Sequence, residues 1–263
     1  MANPIKMKKS DLKKFLDERL NYYNQKWFIS DDPISIPHRF SQKEDIEISG
    51  FLTAIIAWGQ RPMILKKAEI LMEMMENSPY QYITQSSIKD FNKFNTFVYR
   101  TFNGIDATYF ISALRQIYLN HGGLESVFMN GFQNGSIKEA LIGFRKIFLS
   151  FAPLQRTCKH IANVDKNASA KRLNMFLRWM VRNDKSVDFG LWKNISPAHL
   201  MIPLDLHVGK TARMLGLLNR KQNDWKAVVE LTENLKSFNP NDPVCYDYAL
   251  FGLGIYEKNL NYA

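Results

Sequence analysis

Cysteine is scarce in this 263-residue chain: Cys158 and Cys245 are the two it has, and they lie far apart. That excludes a disulfide framework, a four-cysteine zinc site and an all-cysteine iron–sulfur cluster, and predicts a reducing, cytoplasmic setting. With 13 Gly and 10 Pro the chain is neither collagenous nor disordered in composition. The 5 His form no H-x-x-x-H or H-x-E pattern, and no C-x-x-C is present, which excludes the zinc hydrolase and zinc deaminase patterns. The longest strongly apolar run, Phe51 to Trp58, is far too short to span a bilayer. Met1 to Phe15 carries five lysines and no apolar stretch, so no secretory signal and no membrane partner are expected. No run alternates with period two, so strands are not expected, and no repeat or low-complexity tract is visible.

What is present is basic charge and aromatic bulk. The formal charge is +10, from 35 Lys+Arg against 25 Asp+Glu. A folded chain this basic favours polyanions such as DNA, RNA or an anionic surface, and many ordinary enzymes share the bias. Apolar residues make up 46%, with 18 Phe, 11 Tyr and 5 Trp, enough for a sizeable core in one large domain or two lobes.

Helical periodicity dominates. Helices are predicted over Asp11–Gln25, Glu44–Trp58 (ending near Gly59), Pro62 to about Asn77, Asp106–Asn120 with Asp106 as N-cap, and Ser136–Phe151 with Ser136 as cap. Asp31–Pro37 is a proline-rich loop, and Tyr80–Phe102 is aromatic and irregular. In the last third, Ser169–Arg182 places Leu173, Phe176, Leu177, Met180 and Val181 on one amphipathic stripe. Leu206–Leu218 follows, then a helix capped by Asp224 to Ser237, then one started by Asp242 and Pro243 and running to about Lys258.

Two residues stand out on these helices. At about 100° per residue, Lys171, Arg178 and Arg182 fall opposite the apolar stripe, a solvated basic face by spacing alone. Lys171 lies in the first turn, where the positive end of the helix dipole disfavours its charge, a property a nucleophilic amine needs. Asp205 follows Pro203 at the start of its helix and reads as an N-cap. The 22 residues from Asn183 to Leu204 are long enough to bring it back beside Lys171. Gly209-Lys210-Thr211 lacks the first glycine of a P-loop, that position being Leu204, and Gly252-x-Gly254 reads as close helix packing.

Asp205-Leu-His-Val208, followed by Lys210-Thr-Ala-Arg-Met-Leu-Gly-Leu217, resembles the Asp-Thr-His-Val-x-Arg-x-x-x-Arg-Leu-Gly stretch of the helix-hairpin-helix DNA glycosylases. Asn167 to Met180 is similar to the end of that superfamily's hairpin and its second helix, although Lys166 to Lys171 contains no glycine. The gap between Lys171 and Asp205 resembles the archaeal 8-oxoguanine glycosylase branch, and the whole chain resembles an uncharacterised bacterial family. The resemblance implies an all-α, bilobed fold with a cleft between two helical lobes, expected as 1–60 plus 220–263 and 61–219. It implies a DNA repair glycosylase, bifunctional with AP-lyase activity, acting on a damaged purine such as 8-oxoguanine in double-stranded DNA. Lys171 would be the Schiff-base nucleophile, and Asp205 the carboxylate that takes up protons and steadies the cationic sugar. Gln60, at the end of an early helix, would fill the gap left by the flipped base. Arg172, Arg178, His207 and Lys210 would contact DNA, and Trp179 (with Trp58 and Trp192) could stack on the base. The resemblance implies no cofactor, no metal cluster and a monomer. A non-catalytic nucleic-acid binder on the same fold, and a structural partner-binding protein, are the competing readings.

Overall fold

The computed structural model describes residues 7–184 and 186–257. In chain order the helices are α1 (Lys9–Tyr23), α2 (Lys43–Ile56), α3 (Arg61–Met74), α4 (Pro79–Gln85), α5 (Gly104–Asn120), α6 (Gly123–Gly131), α7 (Ile137–Phe148), α8 (Lys171–Val181), α9 (Leu206–Met214), α10 (Trp225–Lys236) and α11 (Asp247–Tyr256). Short 3₁₀ turns join them. The one strand pair among the described residues is β1 (Val98–Tyr99) against β2 (Phe102–Asn103), antiparallel. The protein is therefore all-α, as its periodicity predicts. Among the described residues no helix is long and apolar enough to cross a membrane.

The chain divides into two compact units: Met1–Phe28 with Val164–Ala263, and Ile29–Asn163. These limits differ from the expected boundaries at 60/61 and 219/220. Position 60 is the N-cap of α3, inside the second unit, and position 220 lies between α9 and α10, inside the first. The chain changes units between α1 and α2 and between α7 and α8, not at the glycine-marked end of α2.

The unit formed by residues 29–163 is built on α2, whose residues from Ile46 to Ile56 are all buried. Phe51 of that helix meets Phe110 of α5 and Phe144 and Phe148 of α7, with ring centroids 5.4 to 6.1 Å apart. Phe128 of α6 stacks on Phe144 at 4.2 Å. Aromatic pairs of this kind add about 0.5–1.5 kcal/mol each beyond their buried area, and they hold four helices to one centre. Helix α5 begins at Gly104 rather than at Asp106. Asn103 is the cap, and Asp106 sits at the third helical position, accepting from the Asn103 N–H at 3.0 Å. Asp106 also takes Arg156 at 2.7 Å and the Thr157 hydroxyl at 2.8 Å, and these donors hold its carboxyl below the usual range despite burial.

In the other unit α11 packs on both α1 and α9. Small residues allow the approach. A Cβ at Gly252 would lie 2.4 Å from the Tyr23 ring of α1, and one at Gly254 would lie 3.0 Å from Thr211 Oγ1 of α9. The expectation of close helix packing at Gly252-x-Gly254 is met on two sides of the same helix. Phe251 of α11 also meets the His207 ring of α9 edge-on at 6.3 Å.

Candidate active site

Helix α8 starts from an unusual loop. Asn167 and Ala170 both have positive φ, +63° and +50°, the left-handed conformation that glycine adopts at least cost. The loop has the backbone bends of a glycine-rich turn without the glycines. It is pinned to the start of α10: Trp225 N–H donates to the Asn167 carbonyl at 3.0 Å, and Asn167 Nδ2 donates to Asp224 at 2.9 Å. Asp224 caps α10 through the Ala227 N–H at 3.1 Å, as expected, and a hydrogen bond from Arg220 holds its carboxyl well below the usual range. Because Ala170 ends the loop, α8 begins at Lys171 instead of Ser169. Lys171 is half-buried in the first turn of that helix.

Asp205 caps α9, as expected: its Oδ1 accepts from the Val208 N–H at 2.9 Å. Its backbone carbonyl takes Asn223 Nδ2 at 2.9 Å, and Arg213 holds Asn223 from the other side at 2.6 Å. The start of α9 is thus locked to the loop before α10, which also pins the loop before α8. One short segment, Arg220 to Asp224, positions both Lys171 and Asp205. Asp205 is half-exposed, and the neighbouring Leu206 is 75% exposed.

What joins the pair is a residue the sequence reading did not single out. Asp247 opens α11 and is 5% exposed. Its Oδ2 accepts from Arg178 Nη1, and its Oδ1 has no hydrogen-bond partner. Burial pushes its carboxyl up to about 7, Arg178 pulls it down, Asp205 pushes it up and Lys171 pulls it down. Lys171 and Asp205, 34 positions apart, therefore lie within electrostatic reach of one buried carboxyl. A signal for Asp247 exists in the sequence: it is a lone charge inside the apolar run Val244 to Leu250, where charged residues are rarely found without a partner.

Several expected contacts require correction. The face of α8 opposite the apolar stripe is not solvated. Arg178 is 5% exposed and pairs with Asp188 at 3.3 Å and with Asp247, its guanidinium 4.2 Å above the Tyr248 ring. Arg182 pairs with Asp188 at 2.6 Å, Asp184 at 2.9 Å and Asp242 at 2.8 Å. Tyr248 completes the cluster, donating to Asp188 at 2.8 Å. Arg178 is spent on carboxylates inside the fold and is not a DNA contact. Trp179 and Trp192 are fully buried and cannot stack on a base, whereas Trp58 is half-buried. Asp242 does not cap the last helix. Its side chain is taken by Arg182, Pro243–Tyr246 form a 3₁₀ turn, and α11 starts at Asp247; the predicted end at Lys258 lies outside the described residues.

The remaining candidates stay open to solvent in part. Arg172 and His207 are half-buried and Lys210 is exposed. Burial holds the Arg172 guanidinium down to about 10. Gln60 is exposed and belongs to the other unit from Lys171 and Asp205. Among the described residues no group of three or more His, Cys, Asp or Glu is placed to hold a metal ion.

The arrangement supplies an amine at a helix start, an oriented carboxylate and a buried carboxyl that burial raises well above the usual range. Comparison with curated proteins and with solved structures yields no match. Residues 32–256 match the family described as "Protein of unknown function (DUF2400)", and this chain belongs to that family.

Proposed function

We propose that the protein is a DNA base-excision glycosylase with AP-lyase activity, acting on a damaged purine in double-stranded DNA. The fold would then be that of the helix-hairpin-helix glycosylases. The observation that carries the reading is that one segment, Arg220 to Asp224, is hydrogen-bonded both to the loop before Lys171 and to the start of the helix that Asp205 caps, with both residues in electrostatic reach of the buried Asp247. The left-handed bends at Asn167 and Ala170 support it, because they give the loop before Lys171 a turn that hairpin glycines otherwise make.

A base must leave the stack before its glycosidic bond can be reached, at a cost of a few kcal/mol that is smaller for a damaged pair. Lys171 Nζ attacks C1′ of the extruded nucleotide and the base departs with the bonding electron pair; Nζ then gives up a proton, the C1′–O4′ bond opens with O4′ taking a proton, and an imine is left between lysine and sugar. Asp205, aimed by the Val208 N–H, faces the cationic sugar and stabilises it. β-Elimination then nicks the strand. Phosphate contacts fall to exposed and half-exposed cations such as Lys210 and Arg172, with the net charge of +10 supplying long-range attraction. A monomer without a cofactor suffices for this chemistry.

Duplexes bearing 8-oxoguanine, uracil, alkylated purines or an abasic site, incubated with the protein and borohydride, should give a covalent adduct that Lys171→Gln abolishes. No adduct on any substrate, or one that survives Lys171→Gln, refutes the Schiff-base role. Salt-sensitive DNA binding without an adduct would instead select a non-catalytic binder, a reading that the glycine-free sequence from Lys166 to Lys171 favours.

A further inference from the structure

Two carboxyls, Asp205 and Asp247, share the unit of Lys171; Asp247 is bonded to Arg178, on the face of α8 that also carries Lys171 two turns away, and the surroundings of the two carboxyls differ. Asp205 is half-exposed and tied to a helix N–H at 2.9 Å. Asp247 is buried, with one oxygen on Arg178 and the other, Oδ1, unpartnered. A buried polar atom without a partner is costly to keep, and natural structures hold few that have no role. Helix α11 leaves this oxygen unpartnered at its first residue while packing closely on α9 through Gly254. Paired titratable groups in unlike environments are the usual mark of divided acid and base roles.

We propose that Asp247, through its free Oδ1, is the base that receives the proton of the Lys171 ammonium, while Asp205 serves as the anion facing the sugar. This rests on the reading of Lys171 as nucleophile. In the step, an N–H bond of the ammonium breaks and leaves its electron pair on Nζ. An O–H bond forms on Oδ1, and a +1/−1 pair becomes a neutral pair. Nζ then bonds to C1′ as the glycosidic bond breaks, and the released base anion takes a proton from water.

Magnitudes favour Asp247 over an ordinary aspartate. Moving a proton from an ordinary lysine, near 10.4, to an ordinary aspartate, near 3.9, is uphill by about 6.5 pH units. An acceptor at about 7 narrows that gap by about three, roughly a thousandfold in the transferred population. The charged and titratable groups around the start of α11 include Arg178 and Lys171 of α8, Arg182 at its end, Asp205 and His207 of α9, and Asp188 of the loop after α8. Tyr248 lies on α11 itself, and Arg19 and Tyr23 of α1 meet Glu257 at its far end. Those that act on Asp247 are Arg178, Asp205, Lys171 and Asp188.

The test is the pH dependence of borohydride-trapped adduct formation on an abasic-site duplex, in single turnover, for the native protein, Asp247→Asn and Asp247→Glu. The native rate should rise with pH to a plateau, with a midpoint near 7. Asp247→Asn should lose this limb and fall by about 10²–10⁴-fold with unchanged DNA affinity, and Asp247→Glu should keep a limb at a displaced midpoint. If Asp247→Asn does not fold, the glutamate variant and a carbon-13 carboxyl titration of the native protein decide. An unmoved limb in the glutamate variant, or no carboxyl of Asp247 titrating near neutrality, overturns the proposal. An Asp247→Asn protein with native rate and native pH profile overturns it too and leaves Lys171 standing. An adduct that never forms, or that survives Lys171→Gln, overturns the reading of Lys171 and the base role with it.

Discussion

Replacing Asp247 by Asn should change how stability depends on pH, with a sign and size that follow from its surroundings. Its carboxyl is raised from 3.8 to about 7, chiefly by burial. Between those values the unfolded chain has released the proton and the folded chain still binds it. Folded protein therefore binds more protons, and stability falls as pH rises through this window. At about 1.4 kcal/mol per pH unit, roughly three units give a loss on the order of 4 kcal/mol, complete by about pH 8. The Asn variant resembles the protonated acid and loses nothing over the same range. Arg178 loses a charged partner in the variant, an offset in absolute stability, so the informative quantity is the difference between the two proteins as pH changes. Urea unfolding from pH 4 to 8.5 measures it: the variant should gain on the native protein by a few kcal/mol between pH 4 and 8 and by nothing further above. Titrations of Asp45, Asp106, Asp184 and Asp224 occur in both proteins and cancel. A difference constant to within about 0.5 kcal/mol would mean that Asp247 ionises in the folded state as it does in the unfolded one, refuting the buried-carboxyl argument.

Asp205→Ala should cost about 1 kcal/mol in chemical denaturation through the lost cap, whereas Asp205→Asn keeps the capping oxygen and should cost a few tenths. Both should abolish or strongly reduce adduct formation, which separates the cap from the charge; an active Asn variant would remove Asp205 from the chemistry. Ala170→Gly should stabilise by about 0.5 kcal/mol, because relief of the left-handed conformation at φ +50° outweighs the added freedom of the unfolded chain, and a lower melting temperature would contradict this. Phe144→Ala, which empties the centre of the α2–α5–α6–α7 aromatic cluster, should destabilise by about 3–5 kcal/mol in the same assay.

Much of the secondary structure was legible because it follows from local chemistry. Ser136, Asp205 and Asp224 each cap the helix expected of them, accepting the N–H three residues on. The stripe from Leu173 to Val181 is buried as its spacing predicts. Local signals failed where a distant partner competed for the same side chain. Asp106 looks like a cap, but Asn103 precedes it and Arg156 and Thr157 engage its carboxyl from about fifty residues away. Asp242 likewise looks like a cap, and Arg182, just past the end of α8, takes its oxygen.

The same division holds at the candidate site. Sequence alone determined that α8 has a cationic face and that Asp205 starts a helix. It could not determine what that cationic face meets. A helical wheel sorts residues by direction, and direction does not reveal whether water or a carboxylate lies there. Arg178 reads as a solvent-facing cation until Asp188, 10 positions away, and Asp247, 69 away, close over it. Only the tertiary structure brings Lys171 and Asp205 each within electrostatic reach of Asp247, because charges interact through space, at a strength set by burial.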